Sequence, residues 1–218
     1  MRRFFGTLAP AVVPMIALAA QQGPAAADHK WAVGLVVGTS SFSGAAVGTG
    51  PNGEDIRFVP HRPGITGLRF SRGGGGLRLA VSAQFGRPGL GLHGVPGAPG
   101  EADQGGVLIV EESVYRLWSF GAGASTRLLR FQGAASLRPS LGLELQRWSA
   151  SGSPSRLILG GEAGMGLEVP LTGSFVAEFT GVLGFTPRSP FRQEDVPEAT
   201  RLRSTWRRSI MGAVHWRF

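Results

Sequence analysis

The nine residues IMGAVHWRF at positions 210–218 decide how the chain is read. Ile210, Gly212, Val214, Trp216 and Phe218 fall on one side of an extended backbone, with His215 and Arg217 between them on the other, so the segment reads as a strand with one apolar and one polar face. In water an apolar sheet face must be covered by a second layer. In a closed barrel it can rest against lipid instead, while the polar face looks into the lumen.

The same period of two recurs upstream. Leu77, Leu79, Val81, Ala83 and Phe85 alternate with Arg78, Ala80, Ser82 and Gln84. Leu157, Leu159, Gly161, Ala163, Met165, Leu167 and Val169 alternate with Ile158, Gly160, Glu162, Gly164, Gly166 and Glu168. The second set in each run is mostly small or polar, as a narrow lumen requires, and a helix would bury neither set coherently. Eight strands are predicted: Lys30–Phe42, Gly64–Arg72, Leu77–Gly86, Gly106–Phe131, Leu137–Ser149, Arg156–Val169, Ser174–Thr186 and Arg203–Phe218. Short turns at Gly73–Gly76, Gln132–Ser136 and Pro170–Gly173 face long polar loops at Ser43–Pro63, Arg87–Gly105 and Pro187–Leu202; the loop Ala150–Ser155 is short where a long one is expected. Gly106–Phe131 is longer than a membrane span needs. It either projects above the membrane or hides two strands around Gly121–Ala124, so ten strands stand as the alternative to eight. Pro139 and Trp148 fit the faces of the fifth strand poorly and predict a bulge there.

Aromatic residues gather at the two ends of these strands. Trp31, Phe70, Phe175, Trp216 and Phe218 lie at the short-turn end, and Phe85, Tyr115, Phe185 and Trp206 at the long-loop end, as interfacial girdles do. Together with the ending on Val214, Trp216 and Phe218, the pattern resembles the small bacterial outer-membrane β-barrel proteins, the outer-membrane-protein β-barrel domain family. The resemblance implies an all-β, closed antiparallel up-and-down transmembrane barrel with short turns in the periplasm. It also implies that Val214, Trp216 and Phe218 form the carboxyl-terminal signal by which the outer-membrane assembly machinery recognises its substrates. It leaves the oligomeric state open.

The amino terminus agrees with export. Arg2 and Arg3 precede an apolar run from Phe4 to Ala20, and the small residues Ala25 and Ala27 follow, so residues 1–27 read as a cleaved signal peptide and 28–218 as the barrel. Pro10 and Pro14 interrupt the run and disfavour a lasting membrane helix. Losing Arg2 and Arg3 lowers the formal charge from +8 to +6, and the mature chain stays basic. The full sequence has 21 arginines beside one lysine, and cysteine is absent, which excludes disulfides and thiolate metal sites. Export and lipid-like faces disfavour nucleic acid as a partner.

In a barrel this narrow, inward charges must pair with one another. Arg69 and Arg78 sit near one short turn and Glu168 and Glu178 near another about half the circumference away, so they are expected to meet across the lumen. Arg217 is expected level with Glu178, Glu144 and Glu162 higher, and Gly164 and Gly166 are expected to make room for Glu178. The result is an ionic network of Arg69, Arg78, Glu144, Glu162, Glu168, Glu178 and Arg217. Paired carboxylates can also act as acid and base, but only beside an open cleft, which a narrow lumen does not offer. Lipid-deacylating barrels carry a His-x-Ser pair on a late strand, whereas His215 is followed by Trp216 and Arg217, so that site does not carry over. The run Gly73–Gly76 lacks the helix and the Lys-Ser/Thr pair of a phosphate loop and reads as a turn. No residue is assigned as catalytic or as a metal ligand, and no cofactor is expected.

Arg57, His61, Arg62, Arg188, Arg192, Arg201, Arg203, Arg207 and Arg208 concentrate in or beside the outer loops. Guanidinium pairs well with phosphate, so Arg203 and Arg208, flanking Trp206, are expected to contact lipopolysaccharide head groups. The reading is a non-enzymatic outer-membrane barrel with a structural or surface-interaction role, a lumen closed by side chains, and outer-membrane lipid and lipopolysaccharide as partners. An enzyme acting on lipid A, or a narrow pore or small-ligand carrier, is the alternative.

Overall fold

The computed structural model describes residues 31–50, 53–73, 76–95, 106–111, 114–131, 135–150 and 152–218. The predicted signal peptide, its cleavage point and the first residues after it lie outside these. The strands are β1 (Trp31–Thr49), β2 (Asp55–His61), β3 (Gly64–Gly73), β4 (Leu77–Gly86), β5 (Gly89–Val95), β6 (Gly106–Glu111), β7 (Tyr115–Thr126), β8 (Leu129–Arg130), β9 (Ser136–Ala150), β10 (Arg156–Pro170), β11 (Phe175–Thr186) and β12 (Arg201–Arg217). Eight of them, β1, β3, β4, β7, β9, β10, β11 and β12, form an all-antiparallel ring, closed where β12 pairs back onto β1 from Ala32↔Arg217 upward. Closure leaves the ring without an open edge.

Alternation sorts the side chains as the period of two dictates. Leu35, Leu79, Leu143, Leu157 and Phe179 are exposed on the outside, and Ile210 keeps 73% of its surface exposed. Arg78, Glu144, Glu168, Glu178 and His215 are buried inside. Exposed aliphatic side chains all round a closed ring are a liability in water and the required surface in hydrocarbon. Over the girdled part of the ring the interior is therefore polar, and the apolar layer is outside.

The predicted strand Gly106–Phe131 does not exist as one element. Its first part is β6, which leaves the ring to pair with β5; β7 is the ring strand, and β8 is a short hairpin arm against β9. Gly121–Ala124 runs straight through β7 in register with both β4 and β9, so the bend expected there is absent and the ring has eight strands rather than ten. Two of the predicted outer loops also hold structure. The lower part of β1 pairs with β3 and its upper part with β2, which continues through β5 to β6 as a sheet rising from the rim. The third, Pro187–Leu202, carries a 3₁₀ turn at Gln193–Asp195.

No bulge interrupts β9, whose register with β10 is continuous from Trp148 to Ser136. Trp148 follows the inward parity, and Pro139 points outward in the gap between β7, whose pairing ends at Ser140, and β8, whose pairing begins at Leu137. A missing N–H is tolerated where the neighbouring ladder is interrupted. The bulge lies instead at the rim. Gly44 opposes Thr205 and Ala46 opposes Leu202, so Arg203 and Ser204 face Ala45 alone. Gly44 and Ala45 have φ of 89° and 72°. This extra residue flips the parity of β12: Leu202 turns to the interior above the bulge as Thr205 and Arg207 do below it, while Arg201, Arg203, Trp206 and Arg208 are exposed. Gly44→Val would hold a branched side chain in the left-handed region, with its Cβ driven into the Ser204 carbonyl oxygen. The expected cost is at least about 1–2 kcal/mol, read as a lower urea midpoint for unfolding in detergent.

Candidate functional site: the lumen and its two rims

The lumen holds two ionic clusters, one above the other. In the lower, Arg69 Nη1 on β3 reaches Glu178 Oε1 on β11 at 2.7 Å, and Arg78 Nη2 on β4 donates to Glu168 Oε1 on β10 at 2.9 Å. These are the pairs expected across the barrel. Arg78 Nη1 also lies 3.8 Å from Glu178, Arg138 Nη1 lies 3.7 Å from Glu168, and His215 Nε2 lies 3.2 Å from Glu178. Thr180 and Ser136 donate their hydroxyls to Glu178 at 2.9 Å and Glu168 at 3.4 Å. The register places Ala213, not Arg217, opposite Glu178, and Arg217 pairs instead with Glu168. Gly166 leaves the space beside Glu178, since a Cβ there would stand 3.3 Å from its Oε1. Gly164 makes room for Ser140 and Val182 rather than for Glu178.

The upper cluster centres on Arg207, which the sequence reading put on the last strand but grouped with the cations in or beside the outer loops rather than with the lumen network. Arg207 is buried, lies 3.1 Å from Glu162 and pairs closely with Glu144. Glu144 also accepts from Ser119 and, at 2.8 Å, from Gln146, whose carbonyl in turn accepts from Trp148 Nε1 at 2.9 Å. Arg207 shares the parity of Ser209, His215 and Arg217, and that shared parity was the signal available for it. Between the clusters lies a cavity of about 50 Å³, lined among others by Ser82, Gln84, Ser140, Glu162 and Thr180, with room for a water or two.

Above the ions the lumen turns apolar. Ala45, Ala46, Tyr115, Leu117, Trp148, Ile158 and Phe191 form a buried cluster, joined by Phe42, Phe58, Leu90 and Leu202. Phe191, from the loop between β11 and β12, is fully buried with its ring 5.6 Å from that of Tyr115. The loop is tied down by Arg156 donating to the Phe191 carbonyl, by Ser153 to Asp195 at 3.1 Å, and by Arg192 to the Ser155 carbonyl at 3.1 Å. Tyr115 therefore belongs to this interior cluster and not to the outer girdle. It begins β7 on inward parity, just past the point where the chain re-enters the ring.

Other aromatics lie outside, three pairs of them across neighbouring strands and Trp216 with Phe218 along the end of one. Trp31 and Phe70 are 5.1 Å apart, and Trp216 and Phe218 also 5.1 Å, at the short-turn end, where Phe175 is exposed as well. Phe85 meets Trp118 at 4.9 Å and Phe185 meets Trp206 at 4.8 Å at the other end. Trp118 takes the place that sequence reading gave to Tyr115. Arg72 lies over the Trp31 ring at 4.7 Å, a cation held at the level of the lower girdle. Val214, Trp216 and Phe218 share the outward face with Ile210. Arg203 and Arg208 are exposed on either side of Trp206.

No family model and no curated protein matches this sequence. Solved structures do. The chain is similar to Neisserial surface protein A, with a TM-score of 0.57 at 13% identity over 86% of this chain and 97% of that one. It also matches Ail, the attachment invasion locus protein of Yersinia pestis (TM-score 0.42, 14% identity, 87% and 99% covered), and the N-terminal β-barrel domain of Pseudomonas aeruginosa OprF (TM-score 0.42, 11% identity, 87% and 100% covered). With its closed ring, inward ion pairs and girdled apolar exterior, the chain has the fold of the small eight-stranded membrane-spanning β-barrels of the bacterial outer membrane.

Proposed function

We propose that this protein is a non-conducting, non-enzymatic outer-membrane barrel whose exposed basic rim contacts lipopolysaccharide. The observation that carries the reading is the filling of the lumen at three levels: the lower ion cluster, the Arg207 cluster, and the apolar cluster around Phe191. An ion crossing it would have to displace bonded guanidinium groups and then a packed aromatic layer, so a planar bilayer containing the protein is expected to stay silent. Steady single-channel steps would replace this reading with that of a narrow pore.

The rim supports the second half of the proposal. Arg203 and Arg208 flank the Trp206 girdle, where an outer-leaflet phosphate would lie. Above them the register aligns Arg201, Val47, Arg57 and His93 in one row across β12, β1, β2 and β5. Val59 and the half-buried His61 share this face of β2 with Arg57, while Phe58 on the other face packs on the interior cluster. Arg201, Arg57 and His93 in one row suit a sheet that stands just above an anionic leaflet. Replacing both Arg203 and Arg208 with Gln is expected to lower the lipopolysaccharide retained through purification while leaving the fold intact. Unchanged retention would remove these two residues from the contact, and a change in lipid A mass on incubation with the protein would point to an enzyme instead.

A further inference from the structure

The floor of the lumen carries more guanidinium than carboxylate. Arg69, Arg78, Arg138 and Arg217 converge on Glu168 and Glu178, and Arg127, just past the end of β7 on the inward parity of Ser125, gives its backbone N–H to the same Gly76 carbonyl (3.3 Å) that accepts from Arg138 Nη2 (3.0 Å). Five guanidinium groups thus share two carboxylates whose oxygens are already engaged: Glu168 by Arg78, Arg138, Arg217 and Ser136, and Glu178 by Arg69, Arg78, His215 and Thr180. The Nε atoms of Arg127 and Arg138 are buried and have no hydrogen-bond partner among the described residues. Surplus like charge in a poorly solvated site is unfavourable unless an opposite charge joins it, and a buried donor left unpaired points the same way. The site is reached from the short-turn rim, where the side chain of Arg217, at the end of β12, keeps 19% of its surface exposed.

We propose that the lumen floor is a binding site for a small oxyanion of the phosphate class, held by Arg127, Arg138 and Arg217 at the periplasmic end. Planar guanidinium forks match a tetrahedral oxyanion with paired donors, which a single monovalent halide cannot use as fully. The oxyanion comes either from free phosphate or from a phospholipid head group of the inner leaflet, since the site lies at the girdle level marked by Trp31 and Arg72.

The test uses the full folded protein in a phosphate-free, uncharged detergent, with thermal unfolding followed as inorganic phosphate replaces chloride at constant ionic strength. Phosphate is expected to raise the unfolding temperature along a saturating curve, as a ligand of the native state does. Arg127→Gln removes a guanidinium with no ion pair among the described residues, so it spares the fold. It is expected to stabilise the phosphate-free protein by relieving repulsion and to raise the half-saturating phosphate concentration about tenfold, the loss of roughly one charge-assisted contact. Vesicles of phosphatidylglycerol, compared with phosphatidylcholine vesicles supplemented with phosphate, tell the two sources apart, and a response to either supports the site. No gain over chloride in any arm, or an Arg127→Gln variant that responds as the parent does, overturns the proposal.

Discussion

Glu168→Ala is expected to lower stability by about 3–5 kcal/mol, the cost of leaving buried charge without its partner. Glu168 is the acceptor on which Arg78, Arg138 and Arg217 meet, and Ser136 also donates to it. Truncation would strand three guanidinium groups at the lumen floor, with only Glu178 left to share among them and Arg69. The readout is the temperature at which the compact band of unboiled protein is lost on a detergent gel, together with the urea midpoint for refolding into detergent. Glu168→Gln keeps the shape and one acceptor but loses the charge, so it should fall between the parent and Glu168→Ala. A Glu168→Ala barrel that refolds and melts like the parent would mean that solvent or lipid head groups carry these charges. Glu178→Ala is expected to act in the same direction through Arg69, Arg78 and His215.

The residues whose partners were legible in advance share one property: they lie on strands whose alternation is unbroken. Arg78 is flanked by Leu77 and Leu79, and Glu168 by Leu167 and Val169, so the side each one faces follows from its neighbours, and the meeting of β3 and β4 with β10 and β11 follows from closing the ring. Where the rhythm slips, the reading failed. Arg207 sits in a run of cations just below the Gly44–Ala46 bulge, where composition groups it with the exposed rim arginines and only parity with Ser209, Met211 and His215 turns it inward. Arg138 stands next to Pro139, whose poor fit to strand pairing masks the inward position beside it. The outer sheet reads as loops in sequence because it lacks the apolar alternation of the ring strands. Its strands are short, and β2 mixes Arg57, Val59 and His61 on one face, so no long apolar row announces it. Phe191 gave no signal at all, since a lone aromatic in a polar loop carries no period; its burial is decided by Tyr115 and Trp148 from distant strands.

The sidedness on which all of this depends has a direct test in Leu143→Arg. Leu143 lies on β9 opposite Ala122 and Gly161, midway between Leu137 near the lower turn and Arg147, which pairs with Trp118 at the outer girdle. Its side chain is 62% exposed and meets little protein. In a water-soluble barrel, exchanging so exposed a leucine for arginine would change stability hardly at all and improve solubility. At the middle of a hydrocarbon layer the same exchange costs about 2–4 kcal/mol, because the guanidinium must either enter lipid or pull water and head groups toward it. The small neighbours Ala122 and Gly161 offer it no carboxylate, so nothing on the barrel wall offsets that cost. The measurement is the urea midpoint for folding into lipid bilayers, compared with Arg147→Leu at the girdle, where adding or removing a charge should matter by less than about 1 kcal/mol. Equal small effects at Leu143 and Arg147 would mean that the exposed leucines do not face lipid, and the barrel would then need a second layer of protein around it.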